Sequence, residues 1–212
     1  MSATKALELY KDGDYAGALR HWLPLAMEGD IDSQAWIGTL YENGHGVDVS
    51  DREAFEWYQR SAEGGNCLAQ NNVGVMYAHG RGVPQDYGRS AQWFGRAVEQ
   101  GDMNSMFNLA VFYAKGTGVP KDMDRALHLY SRAAELGHPP SQARLGYLCC
   151  GNDGVQKDRV KAFVWLTLAG NHGAGHALTA LEPIVEQMSL EEKQEGQEQL
   201  ARFQSKRILE EI

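Results

Sequence analysis

Long apolar runs are missing from this chain of 212 residues. None approaches the roughly 20 apolar residues needed to cross a bilayer, so no membrane-spanning helix is expected. Positive charge is in deficit as well: 20 Lys and Arg against 28 Asp and Glu leave a formal net charge of -8. Nucleic acid and anionic membranes both select a surplus of Lys and Arg on one face, and neither is an expected partner. Cysteine is scarce, with only Cys67, Cys149 and Cys150, an odd number of which two are adjacent. Adjacent cysteines do not form an ordinary disulfide without strain, and no CxxC spacing occurs, so the pattern is not that of a small secreted disulfide scaffold. A reducing compartment fits this usage. The opening residues 1–10 carry charges every few positions and lack the apolar stretch of a signal peptide, and a cytoplasmic location is expected. Proline is sparse too, at 6 residues, while 43% of the chain is hydrophobic, which excludes low-complexity disorder.

What is present instead is repetition. The segment IGTLYENGHGV from Ile37 to Val47 recurs as VGVMYAHGRGV from Val73 to Val83 and as LAVFYAKGTGV from Leu109 to Val119, each time after 36 residues. A fourth copy, LGYLCCGNDGV from Leu145 to Val155, keeps the spacing without a gap. Downstream, further columns hold: Trp57, Trp93, Leu129 and Trp165, then Tyr58, Phe94, Tyr130 and Leu166, and a closing Gly65, Gly101, Gly137 and Gly173. A fixed period of this length means a stack of supersecondary units, each burying its apolar face against its neighbours.

Within a copy, apolar residues recur at helical spacing, as at Ile37, Leu40 and Tyr41 and again at Ala54, Trp57, Tyr58, Ser61 and Ala62, so each unit is expected to be two antiparallel helices. The punctuation agrees. Gly44, Gly80, Gly116 and Asn152 share a column, and Gly and Asn are the residues that most readily take the left-handed conformation ending a helix. Ser50, Asp86, Asp122 and Asp158 share another, where side-chain oxygens accept from the free N–H groups that open a second helix, with Ser50 and Glu53 spaced as a capping box. Val47, Val83, Val119 and Val155 are expected to plug the connector, and Ala62, Ala133 and Ala169 to let backbones approach closely. The region from Ala177 begins like another first helix but meets Pro183, which is expected to kink or break it. A new helix should open at Ser189 with Glu192 completing a second capping box, its thin apolar side made of Leu200, Phe203, Ile208 and Leu209. That element is expected to cap the last unit; an extended helix for an external partner is the alternative.

These residues resemble the Sel-one-like repeat family, tetratricopeptide relatives with a longer connector between the paired helices. The family's pattern, Leu-Gly-x-x-Tyr-x-x-Gly-x-Gly-Val followed by Asp, Ala, Trp-Tyr, Ala and Gly, appears most fully as VGVMYAHGRGVPQDYGRSAQWFGRAVEQG from Val73 to Gly101. Departures lie at the ends, in the short turn from Lys11 to Tyr15 and in Cys149 where Tyr is usual. The resemblance implies an all-α fold, a right-handed α/α superhelix of paired antiparallel helices. It divides into an N-terminal tetratricopeptide-like pair over 1–30, repeats over 31–66, 67–102, 103–138 and 139–174, and capping helices over 175–212. It also implies a protein-interaction scaffold, not an enzyme, acting as a monomer on a protein or peptide partner. An immunity or inhibitor protein against one toxin would use the same surface. Some secreted cysteine-rich relatives are associated with β-lactam binding or hydrolysis, but their regularly paired cysteines are lacking here.

Candidate chemistry is thin. His172 and His176 have a spacing that suits zinc on one helical face, yet Gly173 and Gly175 lie between them and no third ligand is near in sequence, so a solvated turn pair is expected. His45 and His79 read as loop residues. The recurring Gly-x-Gly-Val ends a helix instead of following a strand, so it is not a phosphate cradle. No cofactor, metal or catalytic residue is expected.

Binding is placed on the first helix of each pair. With residues 37, 40 and 41 inward, the opposite side carries Ala35, Asn71, Phe107 and Ala143; Thr39, Val75, Val111 and Tyr147; and Glu42, Ala78, Ala114 and Cys150, a strip expected to line a concave surface. So many apolar groups on a nominally solvent-facing strip mark a binding site. Asn72 and Asn108 flank it, with amides able to pair with both N–H and C=O of an extended peptide. Tetratricopeptide grooves that hold C-terminal carboxylates also need Lys or Arg nearby, and only Lys115 and Arg144 are near. The expected partner-binding residues are Asn71, Asn72, Val75, Phe107, Asn108, Val111, Arg144 and Tyr147.

Overall fold

The computed structural model describes residues 2–210 and, within them, every side chain but those of 204 and 206–210. Ile208 and Leu209, expected on the apolar side of the last helix, therefore lie outside the described side chains. The chain forms two compact units, Met1–Asp122 and Met123–Ile212. The first holds α1 (Ala3–Lys11), α2 (Tyr15–Met27), α3 (Ile31–Asn43), α4 (Asp51–Glu63), α5 (Cys67–His79), α6 (Tyr87–Glu99) and α7 (Met103–Lys115). The second holds α8 (Met123–Glu135), α9 (Pro139–Cys149), α10 (Arg159–Asn171), α11 (Gly175–Gln187) and α12 (Leu190–Glu210). No strand occurs among the described residues. In the first unit every helix packs on the next; in the second, α8 packs on α9, α9 on α10 and α10 on α11, while α12 folds back onto α10.

The repeated columns account for this packing. Gly38 lets α3 settle on the ring of Tyr58, since a Cβ there would stand 2.7 Å from the Tyr58 ring; Gly74 does the same over Phe94 and Gly146 over Leu166. The opposing side chains Tyr58, Phe94 and Leu166 are each buried. Successive pairs are latched by a glutamine that the periodicity did not single out. Gln34 Nε2 donates to the Ala26 carbonyl at 2.9 Å, Gln70 to Ala62 at 3.2 Å and Gln142 to Ala134 at 3.0 Å, adding a second hydrogen bond to helix-end carbonyls that also accept from Gly29, Gly65 and Gly137 N–H. Asp30, Asn66 and Asp102, just after the left-handed closing glycines, cap α3, α5 and α7.

The second helices open as the sequence predicts at Ser50, Asp86 and Asp158, whose side chains accept from Glu53, Arg89 and Lys161 backbone N–H groups. The capping box at Ser50 is only half made. Ser50 N–H donates to the Tyr41 carbonyl at 3.0 Å, a bond repeated from Asp86 to Tyr77 and from Asp158 to Cys149, and the Glu53 carboxylate turns to the Tyr41 hydroxyl instead. At Ser189 no such carbonyl competes and both halves form, Ser189 N–H to Glu192 at 2.8 Å and Glu192 N–H to Ser189 Oγ at 3.1 Å.

Two expectations fail. Gly44, Gly80 and Gly116 end their helices at φ of 70°, 68° and 73°, but Asn152 does not take their role. Helix α9 stops early at Cys149 because Gly151 supplies the positive φ, 94°, one residue sooner, and Asp153 and Gly154 follow it into the left-handed region. Asn152 contributes a side-chain cap, its amide donating to the Tyr147 carbonyl at 2.7 Å. Pro183 likewise does not break its helix: α11 runs through it to Gln187.

Candidate functional site

The expected binding residues divide between the two units. Asn71, Asn72 and Val75 stand on α5 and Phe107, Asn108 and Val111 on α7, in the first unit; Arg144 and Tyr147 stand on α9 in the second. Val75, Phe107 and Val111 are half-buried, so the strip is neither sealed nor fully solvated. Two recesses open along it. One, of about 310 Å³, is walled by Val75, Phe107, Asn108 and Val111 over a floor of Phe94 and Phe112, whose rings meet edge to face at 5.6 Å. The other, of about 460 Å³, is walled by Leu7 of α1, Ala35, Trp36 and Thr39 of α3, and Leu68 and Asn72 of α5.

Leu7, Trp36 and Leu68 were missed by the sequence reading. Trp36 occupies the column of Asn72 and Asn108, and Leu68 lies one helical turn before Asn71 and Asn72, so extending the strip by a turn and into the first copy would have found both. Trp36 stacks on Trp22, centroids 5.1 Å apart and planes within 2°, and Tyr10 tilts against both. Leu68 is 66% exposed, a large apolar side chain standing at the rim with nothing over it but solvent. His45, read as a loop residue, does lie in the connector between α3 and α4 and is also a structural clasp there: it stacks on Tyr15 at 4.2 Å, and its Nδ1 lies 3.1 Å from the Tyr10 hydroxyl.

The polar groups along the strip are held by one another. Tyr58 reaches up from α4 to place its hydroxyl 3.1 Å from Thr39 Oγ1 and to donate to Glu42 Oε2 at 2.7 Å. Burial raises its phenol far above the ordinary 10.0, with the Glu42 carboxylate adding to the rise and Asn72 among its hydrogen-bond partners. Glu42 in turn accepts from Arg81 at 2.8 Å, and Arg81 reaches Asp51 at 2.8 Å, so the acidic position of the strip is neutralised from the connector. Asn71 Oδ1 accepts from Ser105 Oγ at 3.0 Å and from Asn108 Nδ2 at 3.4 Å. The asparagines expected to be open to a peptide are therefore already engaged inside the chain, which fixes their orientation. In the second unit, Arg144 pairs with Asp153 at 2.6 Å and lies 5.8 Å from the ring centroid of Tyr147, which is 47% exposed.

The remaining candidates have structural surroundings. His172 Nδ1 lies 3.0 Å from Gln142 Oε1, so it is tied to the glutamine latch and not simply solvated. Among the described residues no group of three or more His, Cys, Asp or Glu is placed to hold a metal, and no helix is long and apolar enough to cross a membrane. All three cysteines are free.

Short helix pairs packed in sequence, repeated glycine connectors and an apolar strip on the first helices define the class: an all-α solenoid. The Sel1 repeat model matches residues 31–66, 67–102, 104–138 and 139–173, and the chain belongs to the Sel1 repeat family. A Sel1 repeat protein from Oxalobacter formigenes is 33% identical with a TM-score of 0.80, over 85% of this chain and 74% of that one. A protective antigen present in uropathogenic Escherichia coli strains, displaying an SLR fold, is 31% identical with a TM-score of 0.77, over 91% of this chain and 42% of that one. A sel1 repeat protein from Klebsiella pneumoniae subsp. pneumoniae, at 18% identity and a TM-score of 0.53, shares the fold. No curated protein matches the chain. Sel1 repeat proteins act generally in protein–protein interaction, and their solenoid is typically a non-catalytic scaffold.

Proposed function

We propose that this chain is a monomeric interaction scaffold that receives an extended peptide or protein segment along α3, α5 and α7 of its first unit. The observation that carries this reading is the pair of apolar recesses on that strip, separated by α5, with Asn72 at the edge of one and Asn108 at the edge of the other. Two side chains of a ligand would enter the recesses while its backbone exchanges hydrogen bonds with the oriented amides. Affinity in such a site concentrates in a few residues, aromatic ones above all. Arg144 and Tyr147 are paired within the second unit and are not needed for this ligand.

The test is calorimetry with a captured partner. Asn108→Ala should cost about 1–3 kcal/mol of binding by leaving ligand polar groups unpaired. Phe107→Ala should cost more by removing an aromatic wall, and Trp36→Ala should cost as much again at the other recess. Gln92→Ala, on the exposed side of α6, should change binding little. Equal losses at Gln92 and Phe107 would place the ligand elsewhere.

A further inference from the structure

A recess of about 630 Å³ opens in the second unit among α8, α9, α10 and α12, and none of the residues of the strip just described lines it. Its origin is visible in the repeat columns. In the first unit the corresponding place is filled by Tyr77, whose ring meets Phe55 edge to face at 5.3 Å in a cluster against which Val83 and Trp93 pack. The Tyr77 hydroxyl accepts from Arg89 Nη1 at 3.4 Å. One repeat earlier the Tyr41 hydroxyl is held by Glu53, from the same column as Arg89. Two repeat lengths after Tyr77, the tyrosine is Cys149, and the columns of Phe55, Val83, Trp93 and Arg89 hold Leu127, Val155, Trp165 and Lys161. All of them line the recess.

Exchanging a phenol ring for a thiol removes most of a side chain, and a packed core relaxes only partly into such a gap. The ring contacts and the hydroxyl partner of the earlier repeats are thus present without a ring between them. We propose that this recess binds a single phenol ring from outside the chain, seated between Leu127, Val155 and Trp165 with its oxygen accepting from Lys161 Nζ. Phe203 of α12, its ring centroid 4.9 Å from that of Trp165, forms the outer wall. Lys161 is held at the rim by Asp158, 3.0 Å away. Cys149 is 6% exposed, and burial pushes its thiol up to about 11, so at neutral pH it is a protonated floor and not a nucleophile. The inference does not rest on the strip along α3, α5 and α7.

Phenol chemistry reaches a protein as a free small molecule or as a tyrosine side chain, and two probes separate these. The full chain is titrated with 4-ethylphenol, with ethylbenzene as the hydroxyl-free analogue, and with N-acetyltyrosine amide, following the methyl resonances of Leu127 and Val155. The expected result is a saturable shift with 4-ethylphenol at millimolar concentration and an affinity at least about tenfold weaker for ethylbenzene. Binding of the tyrosine amide as tight as that of 4-ethylphenol identifies a peptide ligand; weaker binding identifies a free phenol. Cys149→Tyr refills the gap and should abolish the shift while raising Tm. Lys161→Met, at an exposed position, leaves the fold intact and should erase the preference for the phenol even if Cys149→Tyr fails to fold. Absence of a saturable shift in the wild-type chain, undiminished binding to a folded Cys149→Tyr, or an unchanged preference in Lys161→Met would each overturn the proposal.

Discussion

At the scale of single residues, the connector glycines answer to two constraints that the motif alone does not separate. Gly82 has φ of 68°, and a Cβ there would also run into the Asp51 carbonyl group and stand 2.9 Å from Arg52 N, at the start of the helix one repeat back. Gly118 meets Tyr87 in the same way, and Gly46 meets Tyr15 and Ala16. Gly154, in the fourth copy, keeps a φ of 78° but has nothing within 4 Å of its Cβ position. Gly82→Ala should therefore cost about 2–4 kcal/mol, from backbone strain plus a forced separation of two repeats, and Gly154→Ala only about 1 kcal/mol from strain alone. Urea titration of the two variants measures the difference. Equal losses would show that docking of the connector adds nothing.

At the scale of elements, α12 has more holding it than its thin apolar content promised. Its complete capping box is joined by the Arg159–Glu192 ion pair at 2.9 Å and by Gly196, where a Cβ would stand 2.6 Å from the Phe163 ring. With Phe203 against Trp165 as well, α12 is docked at Glu192, Gly196 and Phe203, not at one point alone. We propose that α12 terminates the array, and two changes test it. Removing 189–212 should uncover Phe163 and Trp165, and the truncated chain should scatter light and lose helicity in α9 and α10 first. Ser189→Ala should cost about 1 kcal/mol through the cap alone, without aggregation. A truncated chain as soluble and stable as the parent would favour the alternative, in which α12 is held out to a partner.

At the scale of the whole molecule, stability is distributed along the chain instead of being gathered in one core. Buried clusters recur with the repeats: one around Trp22 and Ile37, the next around Tyr58 and Val73, others around Leu166 and Cys149. A structure held by nearest-neighbour contacts opens from its ends, because an end helix has a packing partner on one side only. Amides of α1, which packs on α2, should exchange at least about tenfold faster than those of α5, which lies between α4 and α6. Hydrogen exchange read by mass spectrometry checks this, and uniform protection from α1 to α7 would mean that the unit opens as a whole. The net charge of -8 acts at the same scale, adding like-charge repulsion between copies of the chain.

Helix type, pairing and most helix ends were legible in the sequence, because periodicity and caps are local: a glycine at a helix end or an aspartate at a helix start acts within a few residues of itself. The columns also assign residues to one face of the first helices, since which face a residue occupies follows from 100 degrees per residue. What the sequence left undecided was every competition between near-equal local options. Ser50 and Glu53 have the same spacing as Ser189 and Glu192, yet only tertiary packing brings the Tyr41 carbonyl to the first pair and leaves the second to close its box. Asn152 and Gly151 could each end α9, and the residue with the smaller conformational cost took the turn. The asparagines of the strip read as open donors and acceptors, and only their neighbours across 34 and 37 residues showed them engaged. The gap at Cys149 shows the same division. The substitution is plain in the sequence, but whether the surroundings collapse into the missing ring or keep its shape depends on how Leu127, Val155, Trp165 and Phe203 pack together. That is a balance of contacts made at a distance along the chain, which no local pattern encodes.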